Sequence, residues 1–219
     1  LRHFLEELED LQKKLLEMGG VVEFAIRQSV HALVDRDEAA AQDVLRSEAR
    51  INQMEIEIDD FAVRLLARHQ PMAKDLRFLT AAIKINNDLE RMGDLAVNIV
   101  ERALSLIRQP PVKPLIDIPQ MSKLVDSMVR NCLDAFVKRD GQMARGVLLS
   151  DDAVDDLRDA IYEELVGFMK RDPTTISRSL DLIFVARNLE RIADHATNIA
   201  EDVLFLAQGI DVRHHAESR

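Results

Sequence analysis

The chain has one cysteine, Cys132, and no tryptophan. A single thiol excludes an intrachain disulfide and any zinc site assembled from several cysteines. Set among apolar residues at helical spacing, Cys132 is expected to be a small buried hydrophobe. Seven glycines and six prolines are few for 219 residues, so turns are scarce and the regular elements between them must be long. No apolar run approaches the roughly 18 residues that a membrane-spanning helix needs. Basic residues are the minority, 29 against 39 acidic ones, and the formal net charge of −10 argues against general binding to nucleic acid, whose phosphates repel an acidic surface. A glycine-rich phosphate loop is also missing, which argues against nucleotide binding. Sparse cysteine fits a reducing compartment, and a cytoplasmic location is expected.

What is present is helical. Ala, Leu, Arg, Glu and Asp dominate a chain that is 47% hydrophobic and only 4% aromatic, the composition of an all-α protein. Across 4–34, Leu8, Leu11, Leu15, Met18, Val22, Ala25, Ile26, Val30 and Leu33 recur mostly at three- and four-residue steps, which predicts a long amphipathic helix. Gly19 and Gly20 inside it would each cost about 1 kcal/mol relative to Ala, so they are expected where another helix approaches closely. Asp37 is positioned to cap the next helix, over 38–68. Pro71 ends that helix, and a third runs over 72–107. Pro110, Pro111, Pro114 and Pro119 then mark a linker. Helices follow over about 121–137, 142–170 and 175–208, with a turn over 138–141, Gly209 as a C-cap and a frayed end beyond it. The expected division is a first bundle over 1–109, a linker over 110–119, a second bundle over 120–210 and a tail over 211–219.

The two halves repeat. Leu89-Glu-Arg-Met-Gly-Asp-Leu-Ala-Val-Asn-Ile99 returns as Leu189-Glu-Arg-Ile-Ala-Asp-His-Ala-Thr-Asn-Ile199, and 36–66 aligns with 139–169 at an offset of 103. Helix–helix–helix, linker, helix–helix–helix reads as two tandem antiparallel three-helix bundles. On a helical wheel Glu90, Asp94, Asn98 and Glu101 share one face, opposite Leu89, Met92, Ala96, Val100 and Ala103. Glu190, Asp194, Asn198 and Glu201 repeat that face in the second half. The carboxylates therefore point outward. The preceding helices offer complements: Asp151 and Asp155 in the second half, Glu48 and Asn52 in the first. Two facing pairs of this kind make four hard oxygen ligands, suited to magnesium, calcium, manganese or oxidised iron. Arg91 and Arg191 are expected to pair with nearby carboxylates, and His195 to be a solvent-edge side chain rather than a ligand.

These paired segments, with Glu17-Met-Gly-Gly20, Ala67-Arg-His-Gln-Pro71 and Leu76-Arg-Phe-Leu-Thr80, resemble the PhoU family over about residues 3–208. The resemblance implies a regulator of phosphate uptake that is not an enzyme. It implies contact with a phosphate-specific ABC transporter ATPase and a sensor histidine kinase, peripheral to the membrane. It also implies surface clusters of divalent or trivalent metal ions (iron, zinc, manganese, magnesium or calcium) held by Glu190, Asp194, Asp151 and Asp155, and by Glu90, Asp94 and Glu48. Asn52, Asn98, Asn198, Arg91 and Arg191 would stand behind those ligands. Asn52 replaces an acid and Leu95 replaces His195, so the second seat is expected to bind metal more tightly than the first. A homodimer is expected of a long-helix adaptor. A metal-dependent hydrolase or storage protein, and a metal-free helical scaffold, stay open as other readings.

Overall fold

A computed structural model describes residues 2–208. Its helices are α1 (Arg2–Asp35), α2 (Glu38–His69), α3 (Lys74–Ile107), α4 (Asp117–Lys138), α5 (Gly141–Arg171) and α6 (Ile176–Gln208), with a 3-10 turn over Pro173–Thr175. The turns between α1 and α2 and between α4 and α5 are the same device used twice. Arg36 and Arg139 both adopt left-handed backbone, at φ 55° and 51°, which reverses the chain. The aspartate that follows caps the next helix. Asp37 Oδ1 accepts from the Ala39 and Ala40 N–H groups at 2.8 and 3.1 Å, and Asp140 Oδ1 from those of Gln142 and Met143 at 2.9 and 3.1 Å. Each cap stabilises its helix by about 1 kcal/mol.

Most helix ends fall within a residue or two of the sequence-based expectation, and three boundaries carry a physical reason for their difference. The second bundle starts at Asp117, so Pro119 sits in the first turn of α4 and not in the linker. A first-turn proline costs little, because the N–H it lacks would have no partner within the helix. At the other turns, α3 starts at Lys74, after Gln70 and Ala73 take positive φ. Thr175 closes the 3-10 turn instead of opening α6. Gly209 and the tail over 211–219 lie outside the described residues.

Helices α1, α2 and α3 form one bundle and α4, α5 and α6 the other, joined where α3 packs on α6 and α1 on α4. The buried apolar side chains of both bundles make one continuous cluster, so the halves share a core. Phe78 of α3 stacks on Phe136 of α4 at 5.5 Å. Cys132 is fully buried as expected, and burial pushes its thiol far above the ordinary range. A Cβ on Gly19 would stand 2.6 Å from Leu133 Cδ1 across the α1–α4 seam, whereas one on Gly20 would meet nothing within 4 Å. Close helix approach therefore explains Gly19 and not Gly20.

The α3–α6 seam is antiparallel and quasi-symmetric. Lys84 Nζ meets Asp202 Oδ1 at 2.8 Å. Shifting both partners by the repeat offset of 100 gives Phe184 and Arg102, and those two also meet, with the guanidinium 5.2 Å from the ring centroid. The linker is held at several points. Arg36 donates to the carbonyls of Ile107 and Gln109, Arg178 to that of Pro110 at 2.7 Å, and Lys113 pairs with Asp117 and Glu164. Among the described residues no helix is long and apolar enough to cross a membrane.

Candidate functional site

The acidic segments sit mid-helix on α3 and α6. Leu89, Met92, Ala96, Val100 and Ala103 are buried, as are Leu189, Ile192, Ala196, Ala200 and Val203. Their periodicity fixes the rotation of each helix and turns Asp94, Asn98, Glu101, Asp194 and Asn198 into solvent, with Glu90 and Glu190 half-buried at the edge. The outward face read from the helical wheel is therefore the face the fold presents. In the first bundle, Gly93 brings α3 close to α2, since a Cβ there would stand 2.9 Å from Ile51 Cδ1.

Each segment meets the preceding helix. In the second bundle, burial raises the carboxyl of Asp151 to about 6, reinforced by Asp194, Asp155, Asp152 and Glu190. Burial and Asp155 raise Asp194, and burial and Asp194 raise Glu190 against the lowering effect of Arg158. Asp151, Asp155, Glu190 and Asp194 thus form one cluster of mutually penalised charges across α5 and α6. In the first bundle, burial raises Glu90, followed by Asp94, which lies within hydrogen-bonding reach, and by Glu55. Glu48 and Asn52 are half-buried on α2, at the places that Asp151 and Asp155 take on α5. As they stand, no three His, Cys, Asp or Glu side chains among the described residues converge into a metal cage.

Two residues decide how well the seats suit a cation. Asn52 Oδ1 is buried and has no hydrogen-bond partner, so its carbonyl oxygen keeps unused acceptor capacity at the repeat position of Asp155. With Glu48, Glu55, Glu90 and Asp94, that is an all-oxygen set fit for a hard cation. The second seat already holds a cation. Arg158 Nη1 lies 2.8 Å from Glu190 Oε1 and 2.9 Å from Asp155 Oδ1, and Nη2 lies 2.9 Å from Asp159. The repeat places Glu55 at the equivalent position, since 55 and 158 differ by the same 103. Neither residue stood out by helix periodicity, although the repeat alignment of 36–66 with 139–169 spans both and sets Glu55 against Arg158.

Other predicted residues take different roles. His195 is not at the solvent edge: its Nδ1 lies 2.7 Å from Asp88 Oδ1 in the α3–α6 seam, and its side chain is 15% exposed. Asn198 Nδ2 donates to the same Asp88 oxygen at 3.4 Å, so it serves the seam as well. Arg91 donates to Asn87 Oδ1 at 3.2 Å and acts on Glu90 only through its charge. Arg191 lowers Asp194 in the same way. Sequence reading missed Asn86, which is fully buried and donates to the Glu55 carbonyl and to Asp59 Oδ1 at 2.9 and 3.0 Å. The paired hydroxyls of Ser47 and Ser150 donate to carbonyls of their own helices.

The PhoU domain family matches residues 15–103 and again 118–203, so the internal repeat is a repeat of that domain. A relative from Pseudomonas aeruginosa, described as a phosphate-specific transport system accessory protein PhoU homolog, is 43% identical over 214 residues, 97% of this chain and 88% of its own length. Another of that description from Caulobacter vibrioides is 43% identical over 95% of this chain and 91% of its own. The crystal structure of PhoU from Pseudomonas aeruginosa superposes with a TM-score of 0.92 at 42% identity, covering 94% of this chain and all of that one. The PhoU structure from Streptococcus pneumoniae, described as a phosphate transport system regulatory protein, gives 0.88 at 30% identity, covering 95% of this chain and 99% of that one.

Proposed function

This chain belongs to the PhoU family, and on that premise we propose that it is a cytoplasmic, non-enzymatic regulator of phosphate uptake. It acts as an adaptor between a phosphate-specific ABC transporter and a sensor histidine kinase, and it restrains the response to phosphate starvation when phosphate is plentiful. The relatives' description as accessory proteins of phosphate-specific transport supports the transport side of this reading. Two three-helix bundles sharing one core suit a body that touches two partners at once.

The metal part of the proposal rests on one observation: the buried Asn52 Oδ1 without a partner, placed on the helix that faces Glu90 and Asp94. When bound there, a hard cation would neutralise carboxylates that burial penalises and give an acidic face a positive docking point. Glu48, Glu55, Glu90 and Asp94 would hold it, and Gly93 sets the spacing of their helices. The experiment is affinity capture of the transporter ATPase and the kinase by this chain, with metal and after chelation. Capture of both, weakened by chelation, is the expected result. Undiminished capture after full metal removal would sink the docking role of the metal, and capture of neither partner would sink the adaptor.

A further inference from the structure

We infer that Arg158 is a built-in counter-cation that keeps metal ions out of the second bundle's seat and leaves the first bundle as the chain's metal site. The inference rests on the metal reading above. It reverses the order of affinity that a count of carboxylates suggests.

Arg158 spends two of the four carboxylates that a metal would need, Glu190 and Asp155, at 2.8 and 2.9 Å. Its side chain is 31% exposed and that of Glu190 19%, so the contact is less screened than an ion pair in open solvent. A guanidinium cannot be deprotonated in a protein. An incoming cation must therefore expel a permanent positive charge from two of its own ligands, or bind beside it against repulsion. Asp151 and Asp194 leave the cluster net negative, but the remaining pair is half a ligand set.

The surroundings changed in the same sense. Where the first bundle has Glu55, Asp59, Asn86 and Asn87, the second has Arg158, Tyr162, Ala186 and Arg187 at the repeat-equivalent places. Tyr162, Arg187 and Arg158 line one groove with Ile183 between α5 and α6. Every one of these replacements removes a carboxylate or an amide, or adds a positive charge, at the end of the seat where Arg158 enters. In the first bundle Glu55 sets a second negative charge close enough to Glu90 to oppose its ionisation, and among the described residues no Arg or Lys ion pair involves Glu48, Glu55, Glu90 or Asp94.

The test is a Mn²⁺ titration of the metal-stripped full chain, read by electron paramagnetic resonance of the free ion. Glu90→Gln with Asp94→Asn disables the first seat. In that background the chain with Arg158 is expected to bind no Mn²⁺. Arg158→Glu, which installs the first bundle's residue, is expected to raise affinity by about ten-fold or more, the scale of a changed neighbour of metal ligands. Adding Glu190→Gln should remove the gain. Arg158→Gln removes the charge without adding one, serves if Arg158→Glu loses helix by circular dichroism, and should shift binding the same way. Equal binding with and without Arg158, or no binding in either Arg158 variant, overturns the inference. The unmodified chain failing to bind Mn²⁺ would instead count against the metal part of the proposed function, and the Arg158 comparison would still read out.

Discussion

Arg27 and Arg130 stand 103 residues apart and hold the same two acids. Arg27 Nη1 lies 3.4 Å from Glu23 on its own helix and 3.2 Å from Asp126 on α4. Arg130 lies 3.4 Å from Asp126 on its own helix and 3.7 Å from Glu23 on α1. The repeat offset carries Arg27 onto Arg130 and Glu23 onto Asp126. Four alternating charges therefore close a ring across the α1–α4 seam, the ionic signature of a two-fold relation within one chain.

Because the arginines are about half exposed and the acids under 20%, each arginine is expected to contribute modestly. Arg27→Ala and Arg130→Ala should each cost about 0.5–1 kcal/mol of unfolding free energy. Residues in one ionic network do not act independently. Urea denaturation of the singles and the double should show a double-mutant cost that departs from the sum. Strict additivity would mean that the ring is two unrelated surface pairs.

Gly93 and Ile51 give a sharper test of packing beside the first seat. In the second bundle the equivalent residues are Ala193 and Val154, both buried: the methyl that α6 gains, α5 gives back. Gly93→Ala improves helix propensity by about 1 kcal/mol but drives its Cβ to 2.9 Å from Ile51, and overpacking of this kind costs about 1–3 kcal/mol. The single variant should be neutral to destabilised. Gly93→Ala with Ile51→Val should melt higher than Gly93→Ala alone. If Ile51→Val fails to rescue, the two bundles are not exchanging volume at this position.

The architecture was legible because apolar spacing is a strong signal over helices this long. Leu89 to Ala103 and Leu189 to Val203 place the acids outward with no tertiary information. The Arg-Asp turns were legible as well, since Asp37 could be read as a cap from its place before a helix. Pro119 misled, because four prolines in a row of ten look alike although only the first three keep the chain non-helical. His195 could not be assigned from one helix: its partner Asp88 lies on a helix of the other bundle, and periodicity says nothing about partners between bundles. Arg158 was hidden for a different reason. A basic residue three positions beyond an acid reads as an ordinary helix pair, and only its approach to Glu190 on α6 shows that it fills the seat.

Asp151 predicts a pH dependence. Its carboxyl is raised from 3.8 to about 6 by burial and by Asp194, Asp155, Asp152 and Glu190. Folding holds this proton more tightly than the unfolded chain does, so the stability it contributes is complete below about pH 4 and is lost as pH rises through about 6. Asp151→Asn carries no charge to lose. With chelator present, its melting temperature should exceed that of the unmodified chain at pH 7.5 and match it near pH 4. A variant less stable at pH 7.5 would show that the Asp151 charge is welcome in the fold.

Lys113 predicts that the linker is a structural clasp. Its side chain is 6% exposed and its ammonium sits 2.9 Å from Asp117 Oδ2, with Glu164 of α5 as a second partner. The two bonds raise its pKa against the burial that lowers it, so the charge stays on. Val112 and Leu115 on either side pack against the core. Removing a nearly buried charge whose partners remain costs about 3–5 kcal/mol when those partners are fully buried. Asp117 and Glu164 reach solvent, at 36% and 42% exposure, and so recover part of that by hydration. Lys113→Ala is therefore expected to cost about 1–2 kcal/mol, in the range of a lost hydrogen bond to a charged group. It should also speed limited proteolysis between α3 and α4. Lys113→Arg, which keeps the charge on a longer fork, should fall between the two. Unchanged stability and unchanged cleavage in Lys113→Ala would show that the linker is held by its prolines and apolar contacts alone.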